Sequence, residues 1–203
     1  MIPRLAFAAS LVLAAAPLHA TTYTIEPDYT QAVFRWNHLG FSTPAAQLSQ
    51  GQGSLEFDPA NPTRGSVNVT IPLSSLNTGV PALDEHLRSE DFFEVAKFPT
   101  ATFRSTKIEQ GASKDRLKVT GELDLHGVTK PVTLDVIVLK VGSNPRTQLS
   151  TVGFEATTTL KRSDFGLGAF VPQVSDEIRM QITSQGVEAQ GYAEYLKKQA
   201  EKK

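Results

Sequence analysis

The chain has 203 residues, with 20 Lys and Arg against 21 Asp and Glu, and it contains no cysteine. Near-balanced charge without a basic stripe argues against a nucleic-acid groove. The missing thiols exclude disulfides, thiolate metal sites and thiol-linked haem or lipid.

Residues 1–20 read as an export signal: MIPR gives a short positive start, LAFAASLVLAAA an apolar run, and PLHA a cleavage site. The run is too short for a comfortable membrane span and is interrupted by Pro17, which favours removal over anchoring. The expected organisation is a signal over 1–20, one domain over 21–190 and a charged tail over 191–203. The periplasm is the expected location, and no later segment is long and apolar enough to cross a membrane as a helix.

From residue 31 to about 187 apolar residues recur with period two between Gly, Pro, Asn and Asp clusters, the pattern of strands and turns. A short strand near Thr22 to Ile25 is followed by Gln31 to Leu39, in which Phe34, Trp36 and His38 share one face. Gln47 to Phe57 follows, with Gly53, Leu55 and Phe57 alternating against polar neighbours. DPANPTRG is a turn, and Ser66 to Ile71 places Val67, Val69 and Ile71 together. Residues 76–100 lack the alternation; Pro81 opens a short helix there, with Leu83 and Leu87 on one face and Asp84 paired to Arg88 on a solvated surface.

Thr100 to Ile108 groups Ala101, Phe103 and Ser105. LKVTGELDL turns Leu117, Val119, Gly121, Leu123 and Leu125 inward, and HGVTKP connects it to Val132–Val141. Gln148 to Lys161 adds Val152, Phe154, Ala156 and Thr158, and Glu177 to Val187 adds Ile178, Met180 and Ile182. The tail GYAEYLKKQAEKK is a frayed helix or has no fixed structure. About eight such strands avoid exposed edges by closing on themselves, so the expected class is all-β: a closed antiparallel barrel with one short helical insertion. Its interior could be filled by side chains or could hold one small ligand.

His38, His86 and His126 stand 48 and 40 residues apart and match no local metal-ligand spacing. Asp84, Glu85, His86 and Ser89 do not form a triad, because residues two apart on a helix point in different directions. No nucleophile elbow, phosphate loop or dinucleotide fingerprint is present. No catalysis and no metal are therefore expected. A histidine-dependent hydrolase or metal enzyme built on His38 and His86 stays as a rival, and a solid stress-related barrel as a second. The aromatics Phe92, Phe93, Phe98, Phe103, Phe165 and Phe170 either cover a ligand or plug the barrel as core.

Several motifs taken in order resemble the YceI-like family of periplasmic polyisoprenoid-binding proteins: YTIEPDYTQAVFRWNHLGFS (23–42), GSLEFD (53–58), SLNTG (75–79), DEHLRSEDFFEVAKFPTATFRST (84–106), GELDLHGVTKPVTL (121–134), RSDFG (162–166) and VSDEI (174–178). The resemblance implies a lipocalin-like barrel that binds, carries or stores an isoprenoid lipid, a quinone or polyprenyl chain, with no catalytic cofactor. It makes Phe34, Trp36 and His38 pocket wall, puts Leu87, Phe92, Phe93 and Phe103 on the lid side and Phe165 at the far end. The inward Leu55, Phe57, Leu123, Leu125 and Phe154 complete the binding set. Leu83, where the family commonly has arginine, and PAAQLSQ (44–50), where a glycine and an aromatic are usual, depart from the pattern. Association of two barrels, and transient contact with a membrane or membrane protein for lipid exchange, stay open at this level.

Overall fold

The computed structural model describes residues 20–202, so the export-signal expectation lies outside the described residues except for Ala20. The strands are β1 (Thr21–Ile25), β2 (Gln31–Arg35), β3 (Ala45–Leu48), β4 (Gln52–Phe57), β5 (Ser66–Pro72), β6 (Thr100–Gln110), β7 (Arg116–Leu125), β8 (Val128–Ser143), β9 (Ser150–Lys161) and β10 (Glu177–Glu188). Two α-helices among the described residues, α1 (Pro81–Arg88) and α2 (Ala189–Ala200), accompany them. Every strand pairing is antiparallel, and β1 joins β4 on one side and β10 on the other, which closes the sheet.

Ten strands make an eight-stave wall. Both β1 and β2 pair with β10, at Tyr23–Ile25 and Gln31–Arg35 respectively, so they are two halves of one stave interrupted by the turn at Pro27–Tyr29. The segment expected as one strand from Gln47 to Phe57 is likewise broken: β3 pairs with β2, β4 pairs with β1 and β5, and Gln50 takes a left-handed φ of 61° between them. The break leaves β3 without β5 beside it. Its free margin meets the insertion instead, where Gln47 and Asn77 exchange backbone hydrogen bonds of 2.8 and 2.9 Å. Gly53 permits the close approach of β4 to β5, since a Cβ there would fall 1.9 Å from the Asn68 carbonyl oxygen.

Other departures from the alternation have local causes. Bulges between Ser105 and Lys107 and between Val138 and Lys140 each add a residue to one strand and reset its phase. After the first of them Ile108 packs against the core while Lys107 is exposed. The hairpin between β7 and β8 needs only His126 and Gly127, both at positive φ, so the strand already runs through VTKP. Pro131 is tolerated because β8 pairs with β9 only from Asp135 onward.

α1 begins at Pro81 as expected, and Leu87 is buried. Asp84 is not on a solvated surface: it is buried and accepts hydrogen bonds from the Thr78 N–H and hydroxyl, both at 2.6 Å. Arg88 donates to the Leu76 carbonyl oxygen rather than pairing with Asp84. The Thr78 hydroxyl holds the Asp84 carboxyl below the usual aspartate range, and its N–H adds to the effect although burial opposes it. The tail is helical, with the Glu188 carboxylate capping the N–H groups of Gln190 and Gly191 at the start of α2. No helix among the described residues is long and apolar enough to cross a membrane.

Candidate functional site

The barrel is hollow. A cavity of ≈ 710 Å³ runs along its interior, lined by residues of every strand from β1 to β10 except β3's alanines and by α1 and the loop after β9. Two apolar groups of packed residues form its ends. Phe34, Trp36, Leu87, Phe93 and Phe165 belong to the group under the insertion, and Ile25, Leu55, Phe57, Val119 and Ala156 to the other. Phe57 and Phe154 meet edge to face at 5.6 Å between ring centroids in the second group.

Each of the thirteen sequence-proposed residues borders this cavity: Phe34, Trp36, His38, Leu55, Phe57, Leu87, Phe92, Phe93, Phe103, Leu123, Leu125, Phe154 and Phe165. Two assignments within the set are corrected. Phe165 is not at the far end; it packs with Phe34, Trp36 and Leu87 beneath the insertion, because the turn Arg162–Phe165 folds back over the same end. Phe103 is not part of the lid: it stands on β6 opposite Leu123 and touches both apolar groups.

The mouth lies between α1, the segment after β2 and the loop after β9. Strand β2 ends at Arg35, four residues sooner than the alternation suggested, because the chain turns at Leu39 and Gly40, both at positive φ. His38 is consequently an exposed rim residue, held by its N–H to the Ser42 carbonyl at 2.9 Å and by an isolated bridge to Val174. Trp36 still faces inward and is buried, its ring 5.9 Å from that of Phe34. His86 of α1 sits at the same opening, edge to face with Phe92 at 5.0 Å and 6.3 Å from Phe170.

Sequence reasoning passed over Arg162. It is buried, borders the cavity, and donates from Nε to the Ser175 carbonyl at 2.9 Å, from one terminal nitrogen to Leu167 and from the other to Val174 at 3.0 Å. Burial lowers its pKa from the usual arginine value while nearby Asp176 opposes the shift. Asp176 in turn accepts from the Ser163 N–H at 2.9 Å and from its hydroxyl at 2.7 Å. No spacing rule marks an arginine whose partners are all backbone carbonyls of one loop.

His126 lies behind the cavity wall. Its Nδ1 donates to the Phe165 carbonyl at 3.1 Å and its ring meets Phe98 edge to face at 4.7 Å, so it ties the hairpin to the insertion and to the loop after β9. Neither the His38 nor the His86 ring hydrogen-bonds to a carboxylate or a hydroxyl among the described residues. No group of three potential metal ligands is gathered among those residues.

A YceI-like domain model matches residues 23–185. The chain belongs to the YceI-like family. Protein YceI of Escherichia coli O157:H7 is 38% identical over 182 residues, 89% of this chain and 94% of that protein. The YceI-like barrel also superposes on the crystal structure of Burkholderia cenocepacia BcnA with a TM-score of 0.69 at 24% identity, covering 77% of this chain and 95% of that one. A polyisoprenoid binding domain from Saccharophagus degradans matches with a TM-score of 0.61 at 16% identity, covering 83% and 99%. At such identities these two structures show a common fold alone.

Proposed function

We propose that this YceI-like barrel binds, carries or stores a long isoprenoid lipid in the periplasm and performs no catalysis. The observation that carries the reading is the ≈ 710 Å³ cavity walled by aliphatic and aromatic side chains. The polyisoprenoid binding named for the Saccharophagus degradans domain supports it, and the signal-like first 20 residues support the location. Transfer of apolar surface from water supplies the affinity, roughly 0.8 kcal/mol for each buried CH₂. At roughly 30 Å³ per heavy atom, the volume a water molecule takes in the liquid, the cavity holds about two dozen atoms, or four to five isoprene units.

The chemistry of the mouth favours a neutral head group. Among the described residues Arg162 is the one Asp, Glu, Lys or Arg that lines the cavity, and its guanidinium is already engaged by three carbonyls. Among the described residues no unengaged Lys or Arg lines the cavity to meet a phosphate, whereas His38, His86 and Gln173 place hydrogen-bonding groups where a quinone carbonyl or an alcohol would sit. Solvent extraction of detergent-free native protein, followed by mass spectrometry, tests the reading. An isoprenoid quinone is the expected ligand; an empty barrel overturns the lipid reading, and a prenyl phosphate overturns the neutral head group.

A further inference from the structure

We infer that the two loops flanking the mouth form a docking tip that inserts into a lipid bilayer when the cavity exchanges its ligand. The inference rests on the lipid-binding reading for its purpose and on the surface for its evidence. Phe41 is 91% exposed, Leu39 and Phe170 are about half exposed at 49% and 59%, and Val171 is 37% exposed. A water-facing turn ordinarily has polar residues or glycine at such points.

Two of these side chains occupy backbone that makes them costlier still. Leu39 has φ 56° and Phe170 φ 62°, the left-handed region where a bulky side chain is unfavourable and Asn or Gly is the cheaper choice. The two loops are fastened to each other: the Leu39 N–H donates to the Gln173 carbonyl at 3.1 Å, and the His38 backbone bridges Val174. They therefore present one apolar edge rather than two separate tips.

The occupant is identified as a bilayer by continuity and by charge. Leu39 and Phe170 both border the cavity and both protrude, so a single apolar surface leads from the interior to the outermost side chains. Residues 36–55 and 165–175 contain no Asp, Glu, Lys or Arg, so inserting the tips strips no charged group of water. Exposed charges behind the tips are mixed in sign, Glu85, Glu90 and Asp91 on and beyond α1 against Arg35, Lys161 and Arg179 at the strand ends, so they build no one-sided cationic surface for anionic headgroups. The surface thus suits a zwitterionic or neutral bilayer entered by apolar insertion.

The test uses the mature chain, phosphatidylcholine vesicles and geranylgeraniol, a four-unit prenyl alcohol. Phe41→Ser and Val171→Ser change exposed residues that do not line the cavity. Both variants should bind geranylgeraniol from an ethanol dispersion as the parent does, read from the fluorescence of Trp36. Flotation with vesicles, and the rate of uptake from vesicles, should fall by about tenfold in Phe41→Ser, the effect of withdrawing one phenyl group from an apolar phase. Flotation should survive 1 M salt. Unchanged flotation in both variants, loss in salt, or a Phe41-dependent dimer in place of vesicle binding would each overturn the inference. A parent chain that takes up no geranylgeraniol from dispersion would sink the lipid reading alone, and flotation would still decide the docking tip.

Discussion

Phe34 and Phe93 meet edge to face with ring centroids 6.2 Å apart, one on a wall strand and the other in the insertion between β5 and β6. That contact fastens the insertion to the barrel with apolar surface. Both residues are buried yet border the cavity, so truncation enlarges an existing space. Phe93→Ala should cost about 3 kcal/mol, the low end for such a deletion, as measured by urea unfolding. A loss below about 1 kcal/mol would show that the insertion is held by its hydrogen bonds instead.

Neighbouring residues on opposite faces of the wall offer a second check. Trp36 is buried at the cavity and Arg35 is exposed. Trp36→Asp places a carboxylate in the apolar lining and should abolish ligand occupancy, whereas Arg35→Asp should leave it near normal. Extracted lipid per mole of protein is the readout, and equal losses would contradict the facing of this strand.

Arg162→Met would leave the carbonyls of Leu167, Val174 and Ser175 without their donor. With each buried unpaired group costing about 1–3 kcal/mol, the expected destabilisation is about 3–5 kcal/mol. Hydrogen exchange should quicken through residues 166–175 more than in the β7–β8 ladder. Uniform quickening would mean that the arginine supports the whole barrel and not this loop.

Acid should loosen the mouth. Thr78 hydrogen bonds hold Asp84 below its ordinary value; at Asp176 burial pushes upward, but the Ser163 N–H and hydroxyl and Arg162 outweigh it. A carboxylate whose folded pKa is depressed contributes stability that is complete above the unfolded value of 3.8 and is lost as pH falls through the lower folded one. Ligand release should therefore begin below about pH 4, and Thr78→Val, which removes the largest cause of the depression at Asp84, should loosen the mouth already at neutral pH and flatten its acid dependence. Release that is flat to pH 2 in both proteins would contradict the role of these bonds.

Chain-length dependence follows from the cavity volume. Affinity for prenyl alcohols should rise steeply to four or five isoprene units, at up to about 3–4 kcal/mol per unit as an upper bound, and then level off. Calorimetry over a homologous series reads this directly. A continued rise to eight units would mean that the interior expands around its ligand.

The alternation of side chains carried most of the barrel in the sequence, because a two-residue period leaves Leu117, Val119, Leu123 and Leu125 no other way to share one face. The wall positions of the site were legible for the same reason. What escaped depended on backbone rather than on hydropathy. The breaks at Pro27–Tyr29 and Gln50, the turn at Leu39, and the bulges at residues 106 and 139 are events of single φ angles or ladder registers that polar and apolar letters do not encode. Arg162 and Asp84 were missed because a charge in sequence reads as surface, and only the folded chain brings loop carbonyls or a threonine to meet it.

The free margin of β3 gives the vessel an expansion joint. Every other join between neighbouring staves is a strand ladder of several residues, but here the join to the insertion is the Gln47–Asn77 pair and the Ser49 N–H on the Ser75 hydroxyl at 3.0 Å. Were affinity to keep rising beyond five units, the added volume would open at that joint, one flank parting while the remaining circumference stays intact.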